Sequence, residues 1–245
     1  MPMKYGLPEI PMKNGVIICG PPGTGKTSIG RWLANKIHGK IYSLTAGQIS
    51  EFIETFKKLI VLAKNNKPSV IFIDDCDILF EYKEIYRSFL TTLDGIDSKS
   101  RSGICFLLTC MNLKTIPSSL IRGGRLEMVL VTKLPSTKKI IHILTHNFQK
   151  LSSILSTLDF EKHKTLLYTI NQQFITSIAY KMNSWNYADI NRFNDDLLRN
   201  IISDETPNIQ KIIDKCIEQI RDQYLLCAKI ETTDLDEIKN LSYYN

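Results

Sequence analysis

Eight consecutive residues near the start of the chain, Gly20–Thr27, read Gly-Pro-Pro-Gly-Thr-Gly-Lys-Thr. They fit the spacing G-x-x-x-x-G-K-[ST], with Gly20, Gly25, Lys26 and Thr27 at the fixed positions. This pattern has meaning only between a strand and a helix, and the flanks supply both. Gly15-Val-Ile-Ile-Cys19 is a short apolar run of the buried-strand kind, and Ile29–Ile37 places its apolar residues at helical spacing. The chain therefore opens with strand, tight turn and helix. In such a turn, glycines remove the Cβ atoms that would keep backbone N–H groups away from a bound anion. The helix adds the positive end of its dipole. Lys26 can reach β- and γ-phosphate oxygens, and the Thr27 hydroxyl can hold Mg²⁺. The residues expected to cradle a nucleoside triphosphate are Gly20, Pro21, Pro22, Gly23, Thr24, Gly25, Lys26, Thr27 and Ser28.

Beyond the turn, strands and helices alternate. Strands are expected at 15–19, 40–44, 69–73, 103–109 and 127–132, with helices at 26–37, 50–65, 81–93 and 117–122. That order predicts an α/β unit with a parallel five-stranded sheet covered on both faces. After Pro135 the pattern becomes helical only, with helices expected at 136–149, 155–181, 186–202, 207–229 and 233–241. Two domains follow: residues 1–135, the α/β nucleotide-binding core, and 136–245, a small all-helical domain.

The third strand ends in carboxylates: Ser69-Val-Ile-Phe-Ile-Asp-Asp-Cys-Asp77. Asp74, at a strand's carboxyl end, is placed to serve as the second Mg²⁺ ligand of a phosphate-loop site. Asp75 is placed to polarise an attacking water, and Asp77 to cap the helix that follows. His142 and His146 share a helix face but lack a third ligand, so they are expected to be surface residues rather than a metal site. The histidine spacing also lacks the glutamate of a zinc-protease helix. Phe52 and Phe56 are expected in the core, and Trp32 and Trp185 are expected to pack.

Four stretches together resemble the AAA ATPases, in the branch with the second region of homology: Gly20–Thr27, Ile71–Asp77, Leu90–Asp97 and Thr109–Glu127. The last keeps the family's T-N-…-L-…-R-P-G-R-F layout. Two further stretches, Asn183–Phe193 and Ile230–Leu235, resemble parts of the family's helical lid. The resemblance implies a P-loop NTPase core of the AAA+ kind followed by that lid. It implies ATP and Mg²⁺ as cofactors, Asn112 as a sensor of water or γ-phosphate, and Arg122 and Arg125 as arginine fingers reaching a neighbouring subunit. It also implies Ala188 as a nucleotide contact and a ring of copies, a homo-hexamer as in the family. The expected catalytic set is Lys26, Asp75, Asn112, Arg122 and Arg125, with Thr27 and Asp74 on the metal. The expected activity is ATP hydrolysis that remodels a protein or complex, with an unidentified cargo or adaptor.

The chain departs from the family in ways that keep alternatives open. Asp75 stands where the family has glutamate, which points to slow hydrolysis or to an ATP-binding scaffold. The loops after the second strand and after Asp77 are short, similar to those of the mitochondrial respiratory-complex assembly ATPases, and argue against threading an unfolded polypeptide. Nineteen residues precede the phosphate loop, too few for the family's adenine-packing segment, which leaves base selectivity and the completeness of the chain open. Residues 1–135 carry 18 basic and 11 acidic residues, and 136–245 carry 13 and 14, so the first domain is at +7 and the second at −1. The positive core allows a DNA-handling role, although no basic block interleaved with aromatics is present. No apolar run approaches the ~20 residues of a membrane span. Six scattered cysteines without a C-x-x-C pair suit a reducing, cytoplasmic compartment.

Overall fold

A computed structural model describes residues 15–45, 49–95, 103–121, 125–126, 128–158, 169–204 and 207–232. Contacts divide the chain into two compact units, Met1–Lys133 and Leu134–Asn245.

The first unit holds β1 (Gly15–Cys19), α1 (Lys26–Lys36), β2 (Lys40–Thr45), α2 (Ile49–Asn65) and β3 (Ser69–Asp74). A 3₁₀ helix over Cys76–Glu81 leads into α3 (Lys83–Gly95). β4 (Ile104–Cys110), a 3₁₀ turn at Leu113–Thr115, α4 (Ser118–Ile121) and β5 (Met128–Val131) complete it. The strands form a five-stranded sheet in the order β2-β3-β4-β1-β5, and every neighbouring pair is parallel. The inner strands are near-continuous apolar runs because both of their faces are covered. Ile71 and Ile73 of β3, with Phe106 and Leu108 of β4, face a core completed by Phe52, Phe56 and Ile60 of α2 and Ile85, Phe89 and Leu93 of α3. Phe56 and Phe89 stack there with ring centroids 4.3 Å apart. The alternate residues Val70, Phe72 and Leu107 face Ala34 of α1 on the opposite side. At Gly30 a Cβ would come within 2.4 Å of the Phe72 ring, so α1 lies close on the sheet because that position carries no side chain.

The strand expectations hold to within a residue at each end. Phe52 and Phe56 are buried as expected. The helix expected at 81–93 is α3, displaced by two residues at each end, and a 3₁₀ segment over Cys76–Glu81 precedes it. Trp32 is a correction: it is 59% exposed rather than packed, on the outer face of α1 with the Lys36 ammonium 5.6 Å above its ring.

The second unit comprises α5 (Thr137–Leu158), α6 (Gln172–Lys181), α7 (Tyr187–Ser203) and α8 (Ile209–Thr232). Its core takes one stripe from each helix, including Ile140, Leu144, Phe148, Leu151 and Leu155 of α5 and Ile190, Phe193, Leu197 and Ile201 of α7. The break expected after residue 149 is absent, because Leu151 and Leu155 continue the buried stripe begun at Ile140. Ser152 also returns its hydroxyl to the Phe148 carbonyl, within the helix. The single helix expected over 155–181 is interrupted instead by Asn171, which leaves helical geometry and accepts a hydrogen bond from the Phe174 N–H as the cap of α6. α7 opens on a reciprocal capping box between Asn186 and Asp189, worth about 1 kcal/mol. Trp185 is buried and meets Phe193 edge-on. His142 and His146 are both exposed. Among the described residues no group of three or more potential ligands could hold a metal ion. The helix expected at 233–241 lies outside the described residues.

Among the described residues no helix is long and apolar enough to cross a membrane. Cys19, Cys76, Cys105, Cys110 and Cys216 are all free thiols.

Candidate nucleotide site

The carboxyl ends of β1, β3 and β4 are neighbours in the sheet, and the expected site residues lie on the segments that leave those ends. β1 passes into the glycine turn at Gly20, whose N–H donates to the Cys110 carbonyl at the end of β4 (3.2 Å). On the other side, Thr132 donates its N–H to the Cys19 carbonyl (2.8 Å). Gly20 lies so close to Thr132 that a Cβ there would come within 2.2 Å of the threonine hydroxyl and 2.5 Å of its carbonyl oxygen. Thr24 closes the turn by donating to the Pro21 carbonyl (2.7 Å) and pairing with the Thr132 hydroxyl (2.7 Å).

Gly25 ends the turn in left-handed geometry (φ 84°) and caps α1 without any side-chain hydrogen bond. A Cβ built on it would meet no atom within 4 Å, so open space stands over the helix terminus at this point. The first turn of α1 carries no acidic residue, so nothing in it offsets the positive end of the dipole. An open cradle, an uncapped helix start and the adjacent Lys26 and Thr27 suit a polyphosphate. Lys26 is 7% exposed and donates to the Gly20 (2.9 Å) and Pro21 (3.1 Å) carbonyls, folded back into its own turn. Pro21, Pro22 and Ser28 are exposed at the rim, while Gly23 is half-buried.

Thr27 and Asp74, named from the sequence as metal ligands, are brought together: the Thr27 hydroxyl donates to Asp74 Oδ1 at 3.0 Å. A hydroxyl and a carboxylate converging beside the cradle form a hard-oxygen donor set of the kind Mg²⁺ takes, in part, from a protein. Thr109, at the end of β4 and fully buried, donates to the same Asp74 oxygen (2.5 Å). It also accepts the Asp75 N–H (2.9 Å). Asp75 itself is exposed and left-handed, with φ 49° and ψ 55°.

Asp77 does not cap the following helix; that position falls to Asp75. Its carboxylate instead crosses to the segment after β4, taking the Met111 N–H on both oxygens (3.0 and 2.8 Å), the Asn112 N–H (3.1 Å) and the Thr115 hydroxyl (3.0 Å). Asp77 thus fixes the backbone that presents Asn112. Asn112 spends its Oδ1 on the Lys114 N–H (3.0 Å), as cap of the 3₁₀ turn.

Arg125 is half-buried and donates to the Ser119 carbonyl of its own chain at 2.6 Å. Arg122 lies outside the described residues. Ala188 sits exposed in the first turn of α7, in the second unit. The roles of Thr109, Thr132 and Asp77 were not visible in the sequence. Thr109 and Thr132 end apolar strands in which threonine is an ordinary residue, and only the hydrogen bonds show what they do.

Burial acts on the thiols of β4 and of the segment after β3. Burial pushes the Cys110 thiol up to about 12, with a hydrogen bond to Cys19 adding to it. Burial alone raises Cys105 to about 11, and burial also raises Cys76.

A five-stranded parallel sheet in this order, with a glycine-rich turn between its first strand and first helix, defines an α/β fold of the phosphate-loop class. Residues 16–134 match the family described as "ATPase family associated with various cellular activities (AAA)". The chain is 30% identical over 173 residues to the ATP-dependent zinc metalloprotease FtsH 2 of Bdellovibrio bacteriovorus, covering 62% of this chain and 27% of that protein. It is 30% identical over 166 residues to the 26S proteasome regulatory subunit 6A of Encephalitozoon cuniculi, covering 62% and 41%. It is 32% identical over 167 residues to the human ATPase family gene 2 protein homolog A, covering 62% and 18%. Among solved structures, the AAA domain of FIGL-1 in complex with ADP superposes with a TM-score of 0.64 at 21% identity, over 95% of this chain and 77% of that one. Residues 16–134 thus carry the AAA ATPase domain, of a family whose members generally hydrolyse ATP and assemble into rings. The chain spans between about a fifth and two fifths of the length of these curated relatives.

Proposed function

We propose that this chain binds Mg-ATP in the Gly20–Thr27 cradle, hydrolyses it where copies of the chain meet in a ring, and uses the cycle to remodel a protein or protein complex. The observation that carries the reading is the 3.0 Å approach of Thr27 to Asp74 beside an uncapped helix start. Residues 1–135 form the nucleotide-binding domain and 136–245 the helical one.

The backbone of Gly20, Gly23 and Gly25 wraps the phosphates, and Pro21, Pro22, Thr24 and Ser28 complete the turn around them. Lys26 exchanges two backbone carbonyls for β- and γ-phosphate oxygens. Its ammonium needs no new desolvation, because it is already buried in the turn. Thr27 and Asp74 would hold Mg²⁺, which would supply neutralisation of the phosphate charge. Asp75 orients and polarises the attacking water, and Asn112 offers its amide group to that water or to the γ-phosphate. Arg122 and Arg125 act from the neighbouring copy, where fingers of this kind are worth ~10³–10⁵ in rate. For Arg125 that role requires giving up the Ser119 carbonyl. The names of the relatives, proteases and a proteasome subunit, favour a protein over a nucleic acid as the object of the work. The free thiols favour a reducing compartment.

A second reading, an ATP-binding scaffold that hydrolyses slowly or not at all, is favoured by Asp75. Its carboxylate is one methylene shorter than the family's glutamate, and a misplacement of about 1 Å can cost ~10²-fold. Calorimetry and steady-state turnover with Mg-ATP, on the chain and on Lys26→Ala, test the two together. The first reading expects nucleotide uptake and turnover that both collapse in Lys26→Ala. Uptake without turnover selects the scaffold, and no uptake at millimolar nucleotide refutes both.

A further inference from the structure

Asp74 and Asp75 share one hydrogen-bond partner, the hydroxyl of Thr109. Thr109 is 0% exposed, and its hydroxyl both donates and accepts. Its proton goes to Asp74 Oδ1 at 2.5 Å, and its lone pair receives the Asp75 N–H at 2.9 Å. A hydroxyl has one proton to give, so these two bonds fix its rotor. They also fix two neighbours at once: the rotamer of one carboxylate, and the backbone turn that carries the next.

The turn at Asp75 needs such an anchor. A non-glycine residue with φ near +50° is uncommon and holds about 1–2 kcal/mol of backbone strain. The usual relief is a local side-chain bond, yet the Asp75 carboxylate caps nothing in the 3₁₀ helix it precedes. The bond that holds the turn is the one made by its N–H to Thr109. The left-handed step also turns the chain sharply as it leaves the sheet, and this decides where the shorter carboxylate of Asp75 is presented.

We propose that Thr109 is a positioning residue for the nucleotide reaction, setting Asp74 through its side chain and Asp75 through its backbone. The hydroxyl neutralises part of the charge on Asp74 Oδ1 without competing for a cation, and among the described residues Oδ2 carries no hydrogen bond. Thr27 can then move from Asp74 onto the metal while Thr109 keeps the carboxylate in place. Thr109 is buried within β4, so the residue joins a strand-forming shape to a polar task. This inference rests on the Mg-ATP reading of the same site.

Thr109→Val keeps the shape and removes the hydroxyl; Thr109→Ser keeps the hydroxyl and removes the methyl. Three measurements on the full chain separate the possibilities. Amide hydrogen exchange at Asp75 without nucleotide should accelerate by about 10-fold or more in Thr109→Val and stay near wild type in Thr109→Ser, because only the hydroxyl protects that N–H. ATP affinity in EDTA should match wild type in both variants, since the glycine turn is untouched. The gain in affinity on adding Mg²⁺ should shrink about 10-fold in Thr109→Val, and kcat should fall by ~10²-fold, the scale for an ångström of misplacement, with KM little changed. Thr109→Ser should restore both.

If Thr109→Val keeps the wild-type Mg²⁺ gain and kcat, the inference is overturned. It is also overturned if Thr109→Val loses ATP binding in EDTA, which would make the hydroxyl a support of the fold, or if Thr109→Ser fails to rescue. A wild-type chain that takes up no nucleotide overturns the underlying reading, and the exchange rate at Asp75 then still reports whether the hydroxyl holds the turn.

Discussion

Two glycines of the phosphate loop are required for different reasons, and substitution with alanine separates them. At Gly25 a Cβ would touch nothing within 4 Å, so the fold resists alanine only through the left-handed backbone at φ 84°. That costs about 1–2 kcal/mol. For a unit of this size it lowers the unfolding midpoint by roughly 2–8 °C. The same methyl would stand in the open space over the start of α1, where phosphate oxygens need the N–H groups. Gly25→Ala is therefore expected to be folded but to lose Mg-ATP affinity by at least ~100-fold, the equivalent of about 2.7 kcal/mol. At Gly20 the added methyl would meet Thr132 at 2.2 Å on its hydroxyl and 2.5 Å on its carbonyl oxygen. The second of these is backbone and cannot rotate away. Gly20→Ala should accordingly destabilise the first unit by at least as much as a typical overpacking substitution, about 1–3 kcal/mol, in addition to impairing binding. Thermal unfolding followed by circular dichroism, paired with titration calorimetry, measures both quantities. A Gly25→Ala protein that binds Mg-ATP like wild type would refute the placement of the phosphates. One that loses more than about 4 kcal/mol would refute the claim that only its dihedral is at stake.

Phe89 is fully buried and stacks on Phe56, so Phe89→Ala should destabilise the first unit by about 3–5 kcal/mol; denaturation that leaves the first unit unchanged would contradict the core described here. In the second unit, Asp214 has its carboxyl held below the usual carboxylate value by hydrogen bonds from Lys181 and Gln210. A depressed value means the stabilisation is present above the unfolded carboxylate value and is lost as pH falls through the folded one, so it fades below about pH 4. The pair is half-exposed, which limits it to about 0.2–1 kcal/mol. Asp214→Asn should then lower stability slightly at pH 7 and leave it unchanged at pH 2–3; an equal loss at both values would rule out the ionic contribution.

The α/β frame was legible because inner strands such as Ile71–Ile73 and Phe106–Leu108 are unbroken apolar runs, which only a doubly covered sheet can bury. Thr27 and Asp74 were legible because their roles follow from distance along the chain to a strand end. Asp77 was misjudged because an aspartate after a strand and before a helix has a local use, and nothing in the sequence shows that Met111, Asn112 and Thr115 present three donors to it from 34 to 38 residues away. Thr109 escaped for a related reason: a threonine in a strand has a sufficient explanation in its branched shape, and its hydroxyl acquires a function only across the sheet. The break placed after residue 149 is absent because Leu151 and Leu155 carry the buried face of α5 past Ser152 and Ser153.

The two tryptophans are distributed in a way that has a practical consequence. Trp32 stands on the outer face of α1 at 59% exposure, while Trp185 is 8% exposed beside Phe193. One indole belongs to each unit, and they begin in opposite solvent environments. Trp185 emission must therefore shift to the red when its surroundings melt, whereas Trp32 already emits at long wavelength and reports mainly through the nearby Lys36 cation. The chain carries its own pair of optical labels, one for each half.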